Sequence, residues 1–225
     1  MGVGLDNLTR RDLASHRVTV PGTQDAIYAP LYDSVAYAAA GQLQLTFFAL
    51  PIGQGTTSAP GATGAKTEAD TNLTNAGLLP KGNRFYCTGL EFTFLPGSNP
   101  GRGPLADGAN TGLNWNDVYA VGKSGWVRFR IQNRDYIVDG PLINFPPVTR
   151  VAGAVAVATN LTSGAATMDE IEYASFAGMP YNIVPVFIEA NQAFTVQVNW
   201  PAVVAVTTGA RLFVRLRGRL IRDAQ

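Results

Sequence analysis

Six arginines have the spacing of a recognition surface. Arg211, Arg215, Arg217 and Arg219 share one parity with Phe213, while Leu212, Val214, Leu216 and Leu220 share the other. Alternate side chains of a strand point to opposite faces, so this run predicts an aliphatic face backed by a guanidinium ladder. Arg128 and Arg130 repeat the device, interleaved with Val127, Phe129 and Ile131. Of 17 basic residues only Lys66, Lys81 and Lys123 are lysines, which leaves 14 arginines. Arginine suits planar, bidentate and stacked contacts at interfaces, whereas lysine serves mainly as a solvated point charge. The first reading of Arg211, Arg215, Arg217, Arg219, Arg128 and Arg130 is therefore contact with a neighbouring subunit. Pairing with acids of the same chain is the second reading. Contact with phosphates of a packaged genome or an internal membrane is the third.

Other candidate constellations are weaker. Gly122-Lys123-Ser124 resembles the end of a phosphate-binding loop, but Asp117 stands where the loop needs its first glycine, and a strand pattern follows at Trp126. Gly101-Arg102-Gly103 lacks the third glycine of a dinucleotide site. Glu68 with Asp70, and Asp169 with Glu170 and Glu172, are acidic groupings with oxygens suited to calcium or to glycoside chemistry. The plainer reading of the second group is a solvated helix start. Trp115 between Asn114 and Asn116 is the most sugar-like cluster, an aromatic ring flanked by amides. It supports a rival reading as a carbohydrate-binding or adhesion module, against a plain loop anchor. One cysteine, Cys87, and one histidine, His16, exclude an internal disulfide and the multi-Cys/His zinc sites within one chain. Cys87 sits in an alternating run and is expected to pack as a small apolar side chain. No metal, cofactor, catalytic residue or small-molecule substrate is expected.

The elements that would hold these residues are strands. The 225 residues are 46% hydrophobic and 15% charged, with 24 glycines and 14 prolines, a composition unsuited to disorder or to a helical bundle. Alternation marks Gln42–Phe47, Phe85–Phe94, Trp126–Ile131, Ile183–Ile188, Phe194–Trp200 and Arg211–Ile221, with a weaker Val/Ala strand at Val151–Val157. Residues 53–64 and 96–112 read as long Gly/Pro-rich loops, and Met168–Phe176 as the best helix. Seven to nine strands joined by long loops favour an all-β, two-sheet sandwich whose connections cross between sheets. Residues 1–20 read as a polar N-terminal arm and 21–225 as one domain. The opening residues lack a cationic start followed by an apolar run, so no signal peptide is expected, and no run of about 18 apolar residues is present. The expected site of synthesis is a cytoplasm.

Net charge is only +1, which gives no global attraction to nucleic acid. The total conceals a regional split. Residues 211–225 carry five arginines and one aspartate, whereas 151–210 carry four acids and no base. Such a chain looks built to meet copies of itself.

The segment Leu45 to Gly97 resembles a known family. It runs through Thr46-Phe47-Phe48, Pro51, Gly53, Lys66, Ala69-Asp70-Thr71-Asn72-Leu73, Ala76-Gly77, Leu79-Pro80, Phe85 and Pro96-Gly97. It is similar to an early region of jelly-roll capsid proteins of tailless icosahedral bacteriophages. The resemblance covers about a quarter of the chain. It implies a single jelly-roll β-sandwich with one or two short helices, no enzymatic activity, and a virion location. The implied partners are identical subunits and other virion proteins. The shell subunit is the leading role, and a minor virion protein (penton, cement or spike base) is the alternative within the class.

Overall fold

A computed structural model describes residues 24–59, 62–95, 111–146, 150–158, 166–174, 181–206 and 209–223, with 111–116, 150–158 and 166–174 described as backbone. The expected arm, residues 1–20, and His16 lie outside the described residues. Among the described residues eleven strands and one α-helix follow in order: β1 (Gln24–Ile27), β2 (Leu31–Tyr37), β3 (Gln44–Phe47), β4 (Arg84–Leu95), α1 (Thr111–Ser124), β5 (Trp126–Ile131), β6 (Arg134–Asp139), β7 (Arg150–Ala158), β8 (Ala166–Ala174), β9 (Tyr181–Glu189), β10 (Phe194–Asn199) and β11 (Ala210–Asp223). A short 3-10 turn, Leu142–Asn144, separates β6 from β7.

All pairings are antiparallel. In the first sheet, β1 and β2 lie along one side of β11, and β4 then β9 along the other. The second sheet runs β3-β10-β5-β6. β7 and β8 form a separate two-stranded pair. If β2, β3, β4, β5, β6, β9, β10 and β11 are counted one to eight, the sheets read 1-8-3-6 and 2-7-4-5. Among these eight, only the β5–β6 step stays within one sheet; every other connection crosses between sheets, as expected from the long loops.

One buried cluster joins the two sheets, compatible with an all-β sandwich. β11 shows why: Leu212, Val214 and Leu216 are fully buried while their odd-numbered neighbours are only half-buried. Leu90 and Phe92 of β4 lie beside them, facing Phe47, Val127, Phe129, Val196 and Val198 of the second sheet. The Phe47 and Phe92 rings meet edge to face at 5.9 Å, and Phe92 meets Phe145 in the same way at 5.9 Å. Each fully buried side chain of this size contributes about 1.5–3 kcal/mol. The β4–β11 register slips at Arg217/Gly218. A Cβ at Gly218 would collide with the Tyr86 carbonyl oxygen and the Phe85 ring, so glycine is needed there.

Two expectations are corrected. Met168–Phe176 is not a helix; Ala166–Ala174 is strand β8, in register with β7 from Arg150↔Ala174 to Ala158↔Ala166. In the strand, Met168, Glu170 and Glu172 alternate with Asp169, Ile171 and Tyr173, so the helical spacing of Met168 and Ile171 is misleading, and the Thr, Ile and Tyr of the segment favour β structure. Conversely, the segment around Trp115 is not loop but helix α1. Gly112, Asn114, Asn116 and Gly122 weigh against a helix there. Tertiary contacts hold it instead: Val121 is fully buried, and the Trp200 indole N–H donates to the Val121 carbonyl at 3.1 Å. Among the described residues no helix is long and apolar enough to cross a membrane.

Candidate subunit interface

The outward side of β11 carries the predicted ladder, but its members differ in what they touch. Arg211 is 13% exposed and donates to Ser34 Oγ at 2.9 Å and to the Ala69 carbonyl, with Asp70 at 3.7 Å. Burial lowers its pKa, against the pull of Asp70 and Asp33. Arg215 lies 3.3 Å from the buried carboxylate of Glu91. Between them Phe213 stacks on Tyr32 at 5.6 Å, with both guanidinium groups 5.8 Å from its ring centre. Arg217 is half-buried and has no ion pair among the described residues. It sits opposite Gly89, which contributes no side chain beside it. Arg219 pairs in register with Tyr86, and beyond it Ile221, Tyr86, Ala26 and Phe187 form a small apolar cluster. Same-chain acids thus account for Arg211 and Arg215, while Arg217 meets no acid among the described residues.

The segment between β3 and β4 packs over this face and is fastened by two buried carboxylates. Asp70 accepts from Thr57 Oγ1 (2.7 Å), Ser58 N–H (2.8 Å), Ser58 Oγ (2.8 Å) and Thr67 N–H (3.0 Å). Burial alone would raise its pKa; the hydrogen bonds from Thr57, Thr67 and Ser58 outweigh it and hold the carboxyl well below the usual range. Asp33 faces the core from β2 and accepts from Lys66 Nζ and from the Phe48 N–H, each at 2.6 Å. Phe48 is fully buried with φ of 65°, a left-handed conformation unusual for a bulky residue, so the Asp33 contact pins a strained position. Burial pushes the Asp33 carboxyl up, against the opposing charge and hydrogen bond of Lys66. Asn72 closes the edge of β2: its side chain accepts from Tyr32 N–H (3.0 Å) and donates to the Pro30 carbonyl (2.8 Å). That edge is capped against pairing with other chains.

Arg128 and Arg130 lie on the second sheet, on β5, so the six arginines do not form one surface. Both turn toward Asp135 of β6, Arg130 at 2.8 Å and Arg128 at 3.6 Å, and Arg128 also lies 5.2 Å from the Trp126 ring centre. The other end of the sandwich is different. β6 and β9 are the outer strands of the two sheets, and a cleft of about 410 Å³ lies between them. Val184 is 89% exposed, Val138 62% and Tyr136 48%. The β4–β9 register jumps from Cys87↔Val186 to Gly89↔Asn182, which leaves Ile183, Val184 and Pro185 unpaired with β4. Exposed apolar residues along two adjacent sheet edges suit burial against another protein surface.

The remaining candidates separate. Asn114, Trp115 and Asn116 occupy consecutive positions of α1, and helical geometry sets such positions about 100° apart. They therefore stand on a helix and not on the loop expected for them. Glu68 is exposed and Asp70 buried, so the first acidic pair presents no joint site. Among the described residues no group of three or more His, Cys, Asp or Glu could hold a metal. Cys87 is fully buried, as expected of a packing residue, and burial pushes its thiol up to about 12. The sequence reading missed Asp33 and Lys66. The available signal was an acid at the same parity as Leu31 and Val35 in a strand. A scan against protein-family models, a search of curated proteins and a search of solved structures each returned no match.

Proposed function

We propose that the chain is a structural subunit of a virus shell, a single jelly roll that assembles by lateral contacts with identical copies and carries out no catalytic step. The observation that carries this reading is the strand order, 1-8-3-6 in one sheet and 2-7-4-5 in the other. That order is compatible with two Greek keys folded together and so supports a jelly roll, an arrangement used by viral capsid, lectin and cupin domains. Because a fold by itself does not define a function, the surface supplies the choice among these. The two most exposed large apolar side chains among the described residues, Val184 and Val138, lie with Tyr136 on the outer strands β6 and β9, at the side of the sandwich, where a neighbour in a shell would abut. No convergent set of titratable groups lines the cleft, whose polar members are Tyr136, Tyr181 and Asn182.

Contact with copies is favoured over contact with phosphate. Arg211, Arg215, Arg128 and Arg130 already face carboxylates of their own chain, which cancels most of the field a phosphate would meet. A virion location follows from this role. Size-exclusion chromatography with light scattering, run over a concentration and salt series, tests it. The expected mass is a multiple of 23.9 kDa that grows with concentration. A strictly monomeric species under every condition would overturn the proposal.

A further inference from the structure

The β7–β8 hairpin is unaccounted for by either sheet. It pairs over nine residues and joins neither the β2-β11-β4-β9 sheet nor the β3-β10-β5-β6 sheet. At about 3.4 Å per residue it is roughly 30 Å long. It is inserted between β6 and β9, the same two outer strands that flank the exposed cleft. A two-stranded hairpin alone in water is marginally stable, so it needs a further surface to pack on.

Register divides its residues between two sides. Val151, Val155 and Val157 share one side with Asp169, Ile171 and Tyr173. Ala152, Ala154 and Ala156 share the other with Glu172, Glu170 and Met168. Glu170 and Glu172 thus stand two positions apart on one side, opposite alanines. Together with Asp169 they give β8 three of the four acids between residues 151 and 210, a stretch without a base.

The complement to this pattern is on β11. Arg215, Arg217 and Arg219 are likewise two positions apart on the outward parity, and strands share a common rise, so the two spacings match. Arg211 and Arg215 are engaged by Asp70 and Glu91, whereas Arg217 has no acid among the described residues and faces the bare position of Gly89. We propose that the β7–β8 hairpin of one copy docks on the outer β11 face of a second copy, the side that carries positions 170 and 172 lying against the Arg217 end of that face. Such a contact joins two different patches and is therefore heterologous, the kind that closes rings or extends lattices. It rests on the subunit reading in taking a second copy as the occupant.

Charge reversal in the full-length chain tests it, read by sedimentation velocity for association and by thermal melting of dilute monomer for folding. Arg217→Glu, and separately Glu170→Arg with Glu172→Arg, should each weaken self-association at least tenfold. Combining all three changes should restore it, a rescue that misfolding cannot produce. The milder pair Glu170→Gln with Glu172→Gln should weaken association with an unchanged melting temperature. Association indifferent to every one of these variants would overturn the hairpin contact while leaving the subunit reading in place. Charge-reversed variants that lower the monomer's melting temperature and regain it on combination, with association unaffected, would overturn it in favour of docking within one chain. A wild-type chain that never associates would overturn both.

Discussion

Replacing Lys66 with Met removes the cation that compensates a carboxylate the fold has withdrawn from water. Lys66 Nζ lies 2.6 Å from Asp33 Oδ1, with side chains 4% and 0% exposed. Leaving one member of such a pair alone costs about 3–5 kcal/mol, since the remaining charge is neither solvated nor paired. Asp33→Asn should cost a similar amount: it keeps an oxygen for the Phe48 N–H but strands the Lys66 ammonium. The double variant, Asp33→Asn with Lys66→Met, removes both charges and retains that hydrogen bond. It should return to within about 1–2 kcal/mol of the wild type. For a chain of this size each single variant should melt about 6–20 °C lower. Urea denaturation followed by the fluorescence of Trp115, Trp126 and Trp200 gives the four corners of the cycle. Single variants that each cost under about 1 kcal/mol and simply add would refute the buried pair as the clamp of the β3–β4 segment.

Asp70 should govern part of the acid limb of stability. Its folded pKa lies below the unfolded value of about 3.9, so its contribution is complete above that value and is lost as pH falls through the folded pKa. Asp70→Asn should therefore be destabilised at neutral pH and converge toward wild type as pH drops below about 4; parallel stability curves from pH 7 to pH 2.5 would contradict this. Cys87 should resist a thiol reagent at pH 8 in the folded protein and react fully once denatured, because its thiol is buried and its pKa is about 12. Arg215→Gln should lower stability by about 1–2 kcal/mol by leaving Glu91 buried beside a neutral group, whereas Arg217→Gln should leave the melting temperature unchanged and weaken self-association. Equal melting temperatures for the two variants would show that the Glu91 contact contributes nothing.

Much of the strand content was legible because it is written as period two. In β5, β10 and β11 the interleaved apolar residues are the buried ones, and the outward parity of Arg128, Arg130, Arg211, Arg215 and Arg217 follows. What periodicity does not encode is which carboxylate reaches which arginine. Asp70 meets Arg211 and Glu91 meets Arg215 only because the β3–β4 segment packs over β11, and because β4 lies beside it in register. Nor does parity say that β5 and β11 belong to different sheets, so two ladders that look alike in sequence lie apart. Helix α1 was illegible for a related reason: glycine and asparagine conceal it locally, and Val121 with Trp200 hold it through contacts distant in sequence. β8 misled because Met168, Ile171 and Glu172 have helical spacing, whereas its pairing with β7, which the local pattern does not show, makes it a strand.

Shell formation is the central claim, and electron cryomicroscopy of the purified full-length chain under assembling conditions tests it most directly. The account predicts closed, symmetric particles in which two-sheet subunits stand side by side, with density bridging from the β6/β9 side of one subunit to its neighbour. Fields of isolated monomers, or aggregates without repeating geometry, would contradict it.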